Sequence, residues 1–172
     1  MSIYQKNKGK KFENQVADIL HKYFYNNNNE YRRLYNFLGN KQLKPYRDLS
    51  SGTLKDVSTS DIQLNLLYKF FPFSIECKFW KEFKDLNLNN LLKEKVSQLF
   101  NIFEKQVKPV AVKSNLIPLL VFKGNYTNIF CMYEKCDDLI YLDFKNYVFL
   151  RQKYKIVLFN DFIKEYNEKI NK

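Results

Sequence analysis

The chain has 172 residues, 29 Lys and Arg against 18 Asp and Glu, a formal net charge of +11, and 45% hydrophobic residues. That length suits one domain with a sizeable core, and no apolar run approaches the ~18 residues a membrane span needs. Three cysteines (Cys77, Cys131, Cys136) and one histidine argue against a disulfide-stapled fold and against a His-rich zinc site.

Lys8 to Phe24 reads as a helix, because Phe12, Val16, Ile19, Leu20 and Tyr23 form one apolar stripe. The run Asn26-Asn27-Asn28-Asn29 ends it, since Asn favours turns over helix interiors. Residues 30–45 are ambiguous, with a short helix from Tyr31 to Leu38 as one reading. Ser50-Ser51-Gly52 marks a turn or loop flanked by strand. Asp61 to Leu66 alternates as a strand, with Ile62, Leu64 and Leu66 on one face. Phe73 to Trp80 alternates more strongly and is expected to pair antiparallel with it.

Leu91 to Val107 predicts a second helix, capped by Asp85 or Asn87 and stopped by Pro109. Leu116 to Phe122 is a continuous apolar run, the pattern of a buried strand, with Pro118 near its start. Shorter strands follow at Ile129–Tyr133, Tyr147–Leu150 and Tyr154–Phe159, and Asp161 to Ile170 closes the chain as a helix. The order predicts an α/β fold in one domain, a central mixed sheet flanked by helices. No secretory signal follows the basic start Met1 to Lys6, so an intracellular, basic globular protein is expected.

The positive charge is uneven. Residues 1–50 carry ten cations and four anions, whereas residues 51–100 carry seven and six. A basic end suits a polyanion, because Lys and Arg displace counterions condensed on phosphates. A plain solubility charge is the other reading.

The sharpest local oddity is Glu76-Cys77-Lys78. Strand alternation puts Glu76 and Lys78 on one face, about 6.5–7 Å apart, among apolar neighbours. Buried charges need partners. Asp61, on the neighbouring strand, is placed to sit beside Glu76. Two converging carboxylates repel unless a cation lies between them, and oxygen-only ligands favour Mg²⁺ or Mn²⁺. Glu13 flanks the buried stripe of the first helix and is aimed toward the sheet. A simple ion pair, Glu76 with Lys78 and Glu13 with a lysine, remains the other account of the same residues.

These residues carry a resemblance. Ser60-Asp61 followed by Glu76-Cys77-Lys78 resembles the signature of the PD-(D/E)XK nuclease superfamily, with Ser60 where the family name has Pro. Lys8-Gly9-Lys10-Lys11-Phe12-Glu13 resembles the first helix of that superfamily's Holliday-junction resolvases. Arg47 with Ser50-Ser51-Gly52 resembles the basic residue and Ser/Gly loop ahead of the first Asp. Phe71-Pro72-Phe73-Ser74-Ile75-Glu76-Cys77-Lys78 is similar to a segment of small phage endonucleases grouped with those resolvases. The likeness covers residues 8–122; residues 123–172 read as an unassigned α/β extension.

The resemblance implies a three-layer restriction-endonuclease-like core and a metal-dependent DNA endonuclease. It implies Asp61, Glu76, Glu13 and the Cys77 carbonyl as ligands of Mg²⁺, with Mn²⁺ able to substitute. Lys78 would orient or deprotonate the attacking water, and Gln98 would hold Lys78, the phosphate or the water. Lys8, Lys10, Lys11, Arg47, Ser50 and Ser51 would contact DNA. The substrate implied is branched DNA such as a four-way junction, cut by a homodimer in the host cytoplasm, with no membrane partner. A restriction-like nuclease or exonuclease on the same fold, or a non-catalytic DNA-binding protein, are the competing readings.

Overall fold

The computed structural model describes residues 3–38, 44–47, 60–80, 97–135, 139, 142, 144, 147–150 and 153–170. Helix α1 (Ile3–Asn27) leads into α2 (Asn29–Leu38). The asparagine run does more than end a helix. Asn28 is buried, and its Oδ1 accepts the Tyr31 N–H at 2.8 Å, the third residue of α2. That is an N-cap, which satisfies a donor the new helix would leave unpaired.

Tyr31 then folds back under α1, where its hydroxyl lies 3.0 Å from His21 Nδ1. Burial, helped by Lys44, holds the His21 pKa below its ordinary value, which favours the neutral ring beside Tyr31. Tyr31→Phe is expected to destabilise the fold by about 1 kcal/mol, measured by urea unfolding.

Strands β1 (Tyr46–Arg47) and β2 (Ile62–Gln63) pair antiparallel as a two-stranded ribbon. The strand expected over Asp61–Leu66 is therefore only two residues long. Asn65 takes a left-handed φ of 49°, and a 3₁₀ turn, Asn65–Lys69, replaces the rest of the strand. Leu64 and Leu67 still reach the core, but through the turn. Nor do β2 and β3 form the expected antiparallel ladder among the described residues. Their link is the Asp61 N–H donating to the Ile75 carbonyl at 2.9 Å.

Strand β3 (Phe73–Trp80) has the bounds its alternation predicts. It pairs parallel with β4 (Ile117–Gly124), and Pro118 is the second residue of that strand. Strands β5 (Phe130–Glu134), β6 (Val148–Leu150) and β7 (Tyr154–Leu158) complete a five-stranded mixed sheet in the order β3-β4-β5-β7-β6. Residues beyond 122 thus supply three strands of the same sheet.

Between β3 and β4 run α3 (Ser97–Ile102), a π turn (Phe103–Val107) and α4 (Lys108–Lys113). Leu91 to Val96, Asp85 and Asn87 lie outside the described residues. Pro109 does not stop this helix, contrary to expectation; it sits in the first turn of α4. The wider π turn just before it gives the proline ring room against the preceding carbonyls. The chain closes with α5 (Phe159–Ile170).

The sheet separates two apolar layers. On one side Ile75, Cys77, Leu119, Val121, Cys131 and Val157 meet α1 and α5. On the other, Leu120, Phe122, Met132 and Ile156 meet Leu99, Phe103 and Val107. Helices therefore cover both faces, the three-layer α/β arrangement the sequence predicts. Phe71 and Phe73, at the entry to β3, pack against Phe162 and Tyr166 of α5, with Phe73 and Tyr166 ring centroids 5.0 Å apart.

An ionic network ties the second face together. Glu134 on β5 takes Lys108 Nζ and Lys153 Nζ at 2.8 Å each, and Tyr154 donates to Glu104. Burial pushes Glu134 up, but the two ammonium groups overcome it and hold the carboxyl below its ordinary range.

Candidate active site

Among the described residues β3 is an edge strand of the five-stranded sheet, and it carries Glu76 and Lys78. Glu76 and Lys78 alternate away from the α1 layer, on the side where Trp80 packs against Phe122. Their side chains are joined, Lys78 Nζ to Glu76 Oε1 at 2.5 Å. Trp80 thus packs under the helical layer.

Asp61 closes the edge from β2. Its backbone donates to the Ile75 carbonyl, and its Oδ2 accepts the Cys77 N–H at 2.7 Å. Both bonds lie on the side of β3 away from β4. In an extended strand a residue's C=O points the same way as its N–H, so the Cys77 carbonyl also faces the Asp61 side. The carboxylate of Asp61 therefore sits one residue from Glu76, and its charge reaches Glu76.

The residue before Asp61 fixes this placement. Ser60 Oγ lies 2.6 Å from Ser74 Oγ, both buried, which ties the approach to β2 onto the start of β3. Ser74 also stands opposite Pro118 in the parallel register.

Glu13 comes from α1, one position after the buried Phe12. Its Oε2 is buried and makes no hydrogen bond, although Arg47 Nε on β1 is 3.5 Å away. Burial, with Asp61 adding to it, raises the Glu13 pKa to about 7 against the pull of Arg47, Lys78 and Lys10. Glu76 is raised for the same reasons, burial first and then Asp61, with Lys78 opposing. Burial lowers Lys78, but Glu76 outweighs it and leaves the ammonium form favoured. The Cys77 thiol is buried and pushed up by that burial, so its backbone is what it offers to chemistry.

Three carboxyls thus share one strained neighbourhood, two of them holding protons more tightly than free carboxyls do. Among the described residues no group of three His, Cys, Asp or Glu forms a ready-made metal cage. Glu76 is paired with Lys78, and Asp61 with the Cys77 amide. The residues nevertheless fit a hard divalent cation. All the donors are oxygens, and the Glu13 oxygen is buried with no proton donor bonded to it.

The remaining predicted residues are dispersed. Gln98 is exposed on α3, next to the buried Leu99. Lys10 and Lys11 are exposed on α1. Lys8 Nζ bonds Asn125 Oδ1 at 3.2 Å and lies 5.6 Å from the Phe79 ring centroid. Arg47 is turned toward Glu13, and Ser50 and Ser51 lie outside the described residues. Tyr31, Phe70 and Phe71 are buried in the core, whereas Phe37 is 84% exposed. The β4–β5 turn, where Lys8 meets Asn125, holds no residue singled out from the sequence.

A family model described as "Phage putative PDDEXK endonuclease" matches residues 4–171. No curated protein sequence and no solved structure matches the chain. The family match spans nearly the whole chain, from the first turn of α1 through α5. The chain belongs to the phage PDDEXK endonuclease family.

Proposed function

We propose that the protein hydrolyses DNA phosphodiester bonds with the help of a divalent cation, Mg²⁺ or in its place Mn²⁺. The observation that carries this reading is that Asp61, Glu76, Glu13 and the Lys78 ammonium lie close enough for their charges to act on one another, with one buried Glu13 oxygen that makes no hydrogen bond. Asp61, Glu76, Glu13 and the Cys77 carbonyl would hold the ion. Such an ion supplies Lewis-acid stabilisation of the negative charge that builds on the phosphoryl oxygens.

The chain's own groups do the rest. Lys78, held as an ammonium by Glu76, donates a hydrogen bond to the attacking water and offsets charge on the transition state. In that protonation state it is a donor, so the orienting role is favoured over the base role. Lys10 and Lys11 lie exposed on the helix that carries Glu13 and would contact the phosphate backbone. Backbone contacts position DNA without reading sequence, which suits choice of substrate by shape. A four-way junction cut by a homodimer is the finer proposal; it is supported by the resemblance of the α1 and β3 segments to resolvases.

Cleavage of a four-way junction, matched linear duplex and single strand, with Mg²⁺ and then with EDTA, tests both levels. Cutting that EDTA abolishes is expected, with the junction preferred. Cutting of every substrate at one rate would remove the junction preference, and cutting in EDTA would remove the metal. Binding is expected to weaken roughly as a power of the salt concentration.

A further inference from the structure

The parallel pairing of β3 and β4 puts their C-terminal ends at the same edge of the sheet. Lys78 stands opposite Phe122, Phe79 opposite Lys123, and Trp80 opposite Gly124. The chain then turns through Asn125 and Tyr126 into β5. Tyr126 lies four positions after Phe122, so its backbone is within about 15 Å of Lys78. At roughly 3.4 Å per nucleotide along one strand, that is a reach of a few nucleotides.

Tyr126 is fully exposed and adopts a left-handed φ of 57°. The other non-glycine residues with positive φ among those described are Asn65 and Asn115. Asparagine tolerates this region; a bulky aromatic is a genuine outlier there. The turn is nonetheless held in place. Gly124 N–H donates to Thr127 Oγ1 at 2.9 Å, and Asn125 Oδ1 is bonded by Lys8 from α1. The hairpin turn accounts for the left-handed backbone, but a large ring held fully in solvent adds nothing to core packing and is left available to a ligand.

The neighbours say which ligand. Lys8 is bonded to the neighbouring Asn125, and Lys123 lies three positions before Tyr126 at the end of β4, so both cations belong to the turn that carries the ring. An exposed aromatic beside cations is the arrangement that receives a base on its face while the sugar–phosphate chain runs past the charges. A base within a continuous duplex keeps both its faces covered, so only an unpaired one is available.

We propose that Tyr126 stacks on an unpaired base a few nucleotides from the cut phosphate, and so selects DNA whose strands are locally opened. The inference rests on the nuclease reading, and adds to it the residue and the feature of the substrate that is recognised.

The test uses the full chain and two duplexes of one sequence, one continuous and one with an unpaired stretch that carries a fluorescent adenine analogue. Binding is read from quenching of the analogue, and cleavage is timed separately with Mg²⁺. Quenching by the wild-type protein is expected. Tyr126→Ala should raise KM for the opened duplex about 5- to 100-fold, leave kcat nearly unchanged and leave the continuous duplex unaffected. Tyr126→Phe should behave as wild type. Tyr126→Asn should melt about 2–4 °C higher, because the strain is relieved, yet bind like Tyr126→Ala. Equal losses on both duplexes, or none on either, would overturn the proposal while wild-type cleavage left the nuclease reading standing. Quenching without any cleavage would do the reverse.

Discussion

Replacing Asp61 by asparagine is expected to lower DNA cleavage at least about 10³-fold while the fold persists. Asparagine keeps an oxygen that can accept the Cys77 N–H, so the link between β2 and β3 survives. What disappears is the negative charge. Lys78→Met should cost about 10²- to 10³-fold for a different reason. Its stem still packs, but the ammonium beside Glu76 is gone. Glu76, already raised by burial, then takes a proton and relieves the local charge, so stability changes little. Single-turnover cleavage, together with circular dichroism of each variant, checks both. Activity within threefold of wild type in either protein would remove the assigned role.

The second large effect concerns pH. In the metal-free protein Glu13 is raised from an ordinary 4.5 to about 7. Between those values the folded state binds more protons than the unfolded state, so stability falls as pH rises through the window and is flat above it. The loss attributable to Glu13 is on the order of 2 kcal/mol, and Glu76 adds in the same direction. His21, lowered by burial, works the opposite way just below its ordinary 6.5. The clean measurement is therefore a difference. In EDTA, Glu13→Gln should match wild type near pH 4.5 and exceed it in stability at pH 8. Mg²⁺ should stabilise wild type most at the higher pH, where the carboxyls have lost their protons, and should stabilise Glu13→Gln less. A variant no more stable than wild type at pH 8 would contradict the buried, unbonded carboxylate.

Much of this arrangement can be read from local pattern. β3 was legible to the residue because Phe73, Ile75, Cys77 and Phe79 alternate with polar partners after a proline entry. The same period places Glu76 and Lys78 on one face. α1 was legible from its stripe, although it runs from Ile3 to Asn27, well past the stripe at both ends. Residues 60–69 misled because Ile62 and Leu64 alternate like a strand, while the positive φ at Asn65 turns the chain and buries Leu67 by another route. Pro109 misled because the rule that proline ends a helix assumes α geometry in the turn before it. The Asp61 bond to the Cys77 amide and the Ser60–Ser74 contact join residues far apart in sequence, and no periodicity reports such pairings. Tyr126 was invisible for a further reason: its environment depends on the parallel register of two strands nearly forty residues apart.

The packing of α5 on Phe71 and Phe73 has a temporal consequence. The strand that carries Glu76 and Lys78 has its entry sealed by Phe162 and Tyr166, contributed some ninety positions later. During synthesis β3 emerges long before its cover, so the packing that holds the entry of this strand waits on a contact distant in sequence. The strand that bears Glu76 and Lys78 therefore reaches its fixed position late in folding.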